Sequence, residues 1–464
     1  MTNYAPVKKG GWLRFLGGRN DLTEYPVGRV RWTQLSLLVL ANIIYNFQRM
    51  KFAPLLGSIM DYYGIGKADF ANMLALAAVF AIVAPFAGGP LADRFLGRKN
   101  LIVVAIFLSC VFSVLAAISP SWFWFVVVWV IGQLLAGVMM PATSAAVRDY
   151  SPRMSRAFAF SIYSIGWGAG NYLVLRFAAL LLPYFGNWQG IFYATAVLGF
   201  LVWVLLFLSL RDLSPAIRHQ VVQSAAQKKE VDARAQGTTP EEARATFGKM
   251  TTILKQPRVW SLVFAVQFWS ITYISVSFYA PLFFRESFGM TEASAASSVS
   301  WFWPAWTISV IFWGWFSDKI ETRKFPLLIG CITGIASLLA VVLMIGQQPS
   351  PQMITLIWVA VGLLLGPIWP MWITMYSENL EEISPYAMGT GFAVQSIMGN
   401  IGNLIKSYYG LRIAEAWGWG ALWGIAATSL GVIPFLVIAG TGSWLPKKWR
   451  RKVDEANGWR SESS

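Results

Sequence analysis

Three cations stand inside apolar stretches of the chain, where charge is costly. Arg49 lies in "IIYNFQRMKFAP" (43–54), Arg176 in "GNYLVLRFAALLLP" (170–183) and Lys406 in "GNIGNLIKSYYG" (399–410). An arginine at a bilayer centre costs about 2.5 to 17 kcal/mol, so these side chains are expected to face a protein interior. Acids inside the apolar segments of the chain are nearly absent, with Asp61 and Glu378 only near segment ends. A cavity with surplus positive charge selects an anion, and arginine can grip a carboxylate or phosphate through two parallel hydrogen bonds. The competing reading is that Arg176 and Lys406 reach the outer interface on their long stems, as Lys51 is expected to do.

Polar and aromatic companions are at hand. Tyr45 lies one turn before Arg49, with Asn46 and Gln48 beside it. Tyr273 and Trp269, then Trp301, Trp303 and Trp306, and Trp369 and Trp372, are candidates for an opposite wall. Tyr45 and Tyr273 carry hydroxyls that need polar partners. Asn171 and Asn403 join the candidate binding set. Other chemistry is poorly supported. His219 is the only histidine, and Cys110 and Cys331 both fall in apolar segments. No metal site, cofactor, disulfide or hydrolase triad is expected. The Gly166, Gly168 and Gly170 pattern has no strand before it, which rejects a dinucleotide fingerprint. These glycines, with Gly399 and Gly402, are expected to allow close helix packing at a moving interface.

The elements that must position these residues are membrane helices. The 464 residues are 56% hydrophobic and 13% charged, against about 25% charged for soluble domains. Twelve apolar segments follow, near 32–60, 70–91, 100–119, 122–147, 157–182, 188–210, 258–284, 293–316, 325–346, 353–376, 386–410 and 418–440. They define an N-terminal tail (1–31), a six-helix bundle (32–210), a central loop (211–257), a second six-helix bundle (258–440) and a C-terminal tail (441–464). Within the loop, "TTPEEARATF" reads as a short capped helix, Thr239 at the N-cap, or as a plain connector. Thirty of the 37 Lys and Arg fall in 8–31, 94–99, 148–156, 211–258, 319–324 and 447–460. This positive-inside alternation predicts that both termini are cytoplasmic and makes nucleic-acid binding improbable. No cleavable signal peptide is evident.

The two halves repeat. Gly89, Asp93 and Arg98 match Gly314, Asp318 and Arg323 at an offset of 225 residues. Gly137 and Pro141 match Gly366 and Pro370 at 229, and Gly170-Asn171 matches Gly402-Asn403 at 232. With Gly89, Leu91, Ala92, Asp93, Arg94, Gly97, Arg98 and Lys99 between segments two and three, the chain resembles the major facilitator superfamily. The resemblance implies an all-α membrane protein of twelve transmembrane helices in two pseudo-symmetric bundles around a central cavity, working by alternating access. It implies that Asp93, Arg98, Asp149, Asp318, Arg323 and Glu378 are gate residues. Asp93 would face the region of Tyr386–Gly389, Arg98 would pair with Asp149, and Arg323 would repeat the tie with Glu378 or Glu382.

Around Arg49 the chain is similar to the organic-anion branch, the anion:cation symporters, and to glycerol-3-phosphate antiporters. It departs from the symporters by Gln48 and Ala136, where they carry the acids that take a coupled proton. Lys406 is similar in place to the lysine of the oxalate:formate exchanger. The resemblance implies a secondary active or facilitative transporter, not an enzyme, carrying a small organic anion, a mono- or dicarboxylate. The implied partners are the lipid bilayer and a counter-anion or coupling proton; the implied place is the cell membrane, as a multi-pass monomer. Multidrug, sugar and organophosphate transporters of the same fold are the rivals.

Overall fold

A computed structural model of the chain describes residues 22–90, 97–150, 156–214, 217, 254–383 and 388–445. Among these residues the fold is built from helices, with one isolated parallel bridge between Leu22 and Leu213. Seven of the described helices are long and apolar enough to cross a membrane. The central-loop helix expected around Thr239 lies outside the described residues.

In the first half of the sequence α1 spans Gly28–Met50, α2 Leu56–Tyr63, α3 Lys67–Pro90, α4 Arg98–Ala117, α5 Trp122–Asp149, α6 Arg156–Phe185 and α7 Trp188–Ser209. In the second half α8 spans Pro257–Ile274, α9 Ala280–Phe288, α10 Glu292–Ser300, α11 Phe302–Ile320, α12 Lys324–Leu343, α13 Pro351–Leu365, α14 Ile368–Ile383 and α15 Met388–Leu436.

Several expected segments are interrupted, and the sequence shows why. The stretch 32–60 breaks at Lys51–Leu55, where Pro54 opens a short 3-10 turn; proline lacks the N–H that a continuing helix needs. The stretch 293–316 divides at Trp301, shortly before Pro304, and the stretch 353–376 divides at Gly366–Pro367. Between α8 and α9 the helix runs on through a π turn at Ser275–Tyr279, a widening often met at functional sites. The last two expected segments form one continuous run, parted at Gly418, whose φ of 80° only glycine adopts without strain.

The described residues form two compact units that do not follow the halves of the sequence. One takes its described residues from Met1–Arg49, Val83–Gly170 and Phe192–Asp232; the other from Met50–Ile82, Asn171–Ile191 and Ala233–Ser464. In the first unit α4 packs along α5. Small residues set the approach of α1 to α6: a Cβ on Gly170 would stand 2.7 Å from Asn46 Cβ and 2.8 Å from the Ile43 carbonyl. In the second unit α8 and α12 both pack on α15, and α11 on α13. Its core holds fully buried Trp303, Trp358, Trp372 and Trp423.

Candidate functional site

The polar residues beside Arg49 are spent on holding helices together. Asn42 donates to the Tyr163 carbonyl at 2.8 Å and Gln48 to the Thr195 carbonyl at 2.7 Å, while Asn46 donates back to Asn42. All three side chains are buried, and such bonds across helices satisfy amides that lipid could not. Arg49 itself is half-buried and stands in the last turn of α1. This corrects the expectation of a position well inside a helix running to about residue 60. The break at Pro54 ends the helix there, and unpaired carbonyls at a helix C-terminus favour a cation. Tyr45 is half-buried one turn earlier. Lys51 is buried, only 4% exposed, and does not extend outward as expected.

Lys406 has the setting best suited to an anion. It lies on α15, three residues from Asn403, and reaches across to α8. Its ammonium donates to Gln267 Oε1 at 3.1 Å and to Ser270 Oγ. Ser270 and Gln267 face the same side of α8 because they are three residues apart, and Ser270 Oγ also donates to the Gln267 carbonyl at 2.9 Å. Gly402 gives this arrangement its room: a Cβ there would lie 1.9 Å from Gln267 Oε1 and 2.9 Å from Lys406 Nζ. Lys406 has no carboxylate partner among the described residues.

Tyr273 lies three residues beyond Ser270 on α8, and its ring meets Trp303 edge-on at 6.1 Å. Trp303 in turn meets Trp306 at 6.0 Å. The indole N–H groups of Trp303 and Trp306 are buried and find no acceptor among the described residues. The same is true of both amide atoms of Asn171, which is 2% exposed. Asn403 is half-buried. Arg176 donates to Ser297 Oγ at 2.7 Å and lies 5.8 Å from the centre of the Trp301 ring.

The repeated loop residues pair locally. Arg98 Nη1 contacts Asp149 Oδ2 with both residues buried, and the Arg98 backbone N–H donates to Asp212 Oδ2 at 3.0 Å. In the other copy Arg323 lies 2.6 Å from Asp318 and 3.2 Å from Glu378. Glu382 takes Arg258 instead, at 2.8 Å. Asp93 and residues 386–387, its expected partner region, lie outside the described residues.

Sequence reasoning did not single out Gln267 and Ser270. Their signal was two polar residues three apart in the apolar "VFAVQFWSITYI". It also passed over Ser58, inside the first apolar segment, and Arg285 and Glu292, which fall between two segments.

The Major Facilitator Superfamily model matches residues 38–407. A gallate transporter of Pseudomonas putida is 24% identical over 69% of this chain and 71% of its own length. The membrane sensor protein UhpC of Escherichia coli (strain K12) is 19% identical over 90% of this chain and 94% of its own. Among solved structures, the crystal structure of a D-xylose-proton symporter matches with a TM-score of 0.66 at 16% identity, covering 87% of this chain and 97% of that one.

Proposed function

The chain belongs to the Major Facilitator Superfamily, a family of multi-pass membrane transporters and not of enzymes, and on that premise we propose that it carries a small organic anion. The observation that carries this reading is Lys406: an ammonium held by two neutral oxygens, with no carboxylate partner among the described residues. A cation so placed is costly until an anion meets it, and a bound carboxylate would supply the missing charge. Trp303 and Trp306 add buried N–H donors and flat ring surface. That combination suits an aromatic carboxylate, the class to which gallate belongs.

In this reading Arg49, Tyr45, Arg176, Tyr273, Asn171 and Asn403 are the further members of the candidate binding set. Twelve transmembrane helices, six in each half of the sequence, rock about the site, and both termini lie on the cytoplasmic side. Asp93, Arg98 and Asp149, with Asp318, Arg323 and Glu378, close the cytoplasmic face. With Gln48 and Ala136 where related symporters carry acids, exchange against a second anion fits the site at least as well as proton symport.

The likeness to a membrane sensor over 90% of the chain favours one other reading, in which the anion is bound and signalled without net transport. A single experiment addresses both. Purified wild type and Lys406→Met are melted with aromatic carboxylates, dicarboxylates, hexose phosphates, sugars and lipophilic cations, and the stabilising solutes are then offered to proteoliposomes. Carboxylates should raise the wild-type Tm by mass action and leave Lys406→Met unmoved. Stabilisation by sugars or cations alone, or an unaltered response in the variant, would overturn the anion reading. Binding without uptake would establish the sensor.

A further inference from the structure

Past its last helix the chain is stapled to one compact unit as far as Trp444. α15 runs into a short 3-10 turn at Val437–Ala439, and carbonyls at such an end lack helical N–H partners. Lys324, at the start of α12 and only 4% exposed, meets part of that need. Its ammonium donates to the Gly440 carbonyl at 2.7 Å and to that of Ile438 at 3.4 Å, at the end where a helix favours a cation. Its Nζ also lies 5.2 Å from the centre of the Trp444 ring. Asn379 on α14 accepts the Thr441 N–H at 2.9 Å, and Thr322 donates its hydroxyl to the Ser443 carbonyl at 2.5 Å. Between them Gly442 turns the chain with a φ of 99°, a region that favours glycine.

The staple sits at the edge of the apolar surface. Phe435 and Ile438 are 74% and 59% exposed, so in a membrane protein they face acyl chains. The end of α11 shows the same boundary. Trp315, 59% exposed, and Lys319 stand one turn apart, with Lys319 Nζ 5.1 Å from the centre of that ring. A tryptophan at headgroup level and a lysine stem along apolar surface are usual marks of the interface. Thr322, three residues on from Lys319, is the residue bonded to Ser443, which puts the two ends side by side. Lys319 has no carboxylate partner among the described residues.

The sequence that follows Leu445 is "PKKWRRK" (446–452), with Lys447, Lys448, Arg450, Arg451 and Lys452 around Trp449. These residues lie outside the described ones, but chain length bounds their reach: the stretch extends at most about 25 Å from Leu445. The positive-inside pattern asks only for basic residues on one side. It asks neither for a staple that fixes where they start nor for a tryptophan among them. Each Lys or Arg held near an anionic bilayer surface favours association by about fivefold, and the attraction fades within about 8 to 10 Å. A cluster far along a free tail samples positions beyond that range. One that starts two residues past Leu445 starts within it.

We propose that residues 447–452, with Lys319 and Trp315 beside the staple, form a docking surface for the anionic headgroups of the surrounding bilayer. The cations meet lipid phosphates, and the staple on Lys324, Thr322 and Asn379 keeps them at headgroup level. The surface does not depend on which solute is carried.

The test is a depth measurement on the full-length protein in vesicles. Val453→Cys carries a spin label, which the buried native Cys110 and Cys331 leave to it. In phosphatidylcholine with about 30% phosphatidylglycerol the label should lose contact with a water-soluble nickel chelate and gain contact with oxygen. In phosphatidylcholine alone it should stay in water. Salt at about 1 M, where charges are screened within about 3 Å, should release it. Replacing Lys447, Lys448, Arg450, Arg451 and Lys452 by Gln should lower the bound-to-free ratio at least about tenfold. A Gly/Ser insertion of about 20 residues after Leu445 should lower it about fivefold by dilution. The insertion keeps every charge and disturbs no described contact, so it decides the matter if the charge-free variant does not fold. Inorganic phosphate added to phosphatidylcholine vesicles is the arm for a free anion, and immobilisation of the label by phosphate alone would overturn the lipid assignment. Equal depth in the two lipids, or with and without the five charges, would overturn the proposal, and an insertion without effect would remove the staple from it.

Discussion

Arg98 and Asp149 meet in a buried pair, each 4% exposed, while their counterparts in the second half, Arg323 and Glu378, sit 3.2 Å apart in the open. The repeat is therefore symmetric in sequence and asymmetric in energy. Breaking a buried pair leaves an uncompensated charge and costs about 3 to 5 kcal/mol; breaking an exposed one costs about 0 to 1 kcal/mol.

Asp149→Asn should accordingly lower the Tm of the purified protein by far more than Glu378→Gln. The double variant Arg98→Met/Asp149→Leu should recover much of the loss, because an apolar pair leaves no charge behind. Thermal melts of the four proteins check this, and equal shifts for Asp149→Asn and Glu378→Gln would contradict it.

At Lys406 the charge and the room for it can be separated. Lys406→Met removes the charge, and a lost hydrogen bond to a charged group is worth about 1.5 to 3 kcal/mol. Anion affinity should fall by roughly 10- to 150-fold. Gly402→Val removes no charge, but its Cβ would press on Gln267 and Lys406, so it should weaken the same anions by displacing the cation rather than deleting it. Calorimetric titration distinguishes the two, and full affinity in Gly402→Val would show that the Gln267–Lys406 arrangement is dispensable.

Helix approach in the first unit rests on a missing side chain. Gly170→Leu would drive α6 off α1 at Ile43 and Asn46, and overpacking of this kind costs about 1 to 3 kcal/mol. Gly186→Leu is the contrasting variant: a Cβ there meets nothing within 4 Å, so its cost comes only from its φ of 67°. A Tm comparison that ranked Gly186→Leu as the more damaging would mean that the α1–α6 contact is loose.

Much of the scaffold was legible because membrane helices advertise themselves locally. Apolar runs, basic clusters and the spaced Gly, Asp and Arg of the repeat are short-range patterns, and they led to the family, whose resemblance implied the pairing of Arg98 with Asp149. The same rules, applied after Pro54 is given its weight, place Arg49 at a helix end. What no local pattern could show is which neighbour each charge meets. Lys406 finds Gln267 across 139 positions, and Arg285 finds Asp61 across 224. Periodicity fixes the face a side chain occupies but not the helix packed against that face. Hydrogen-bond partners a hundred or more residues apart are decided only when the helices are in register, and that is a property of the tertiary structure.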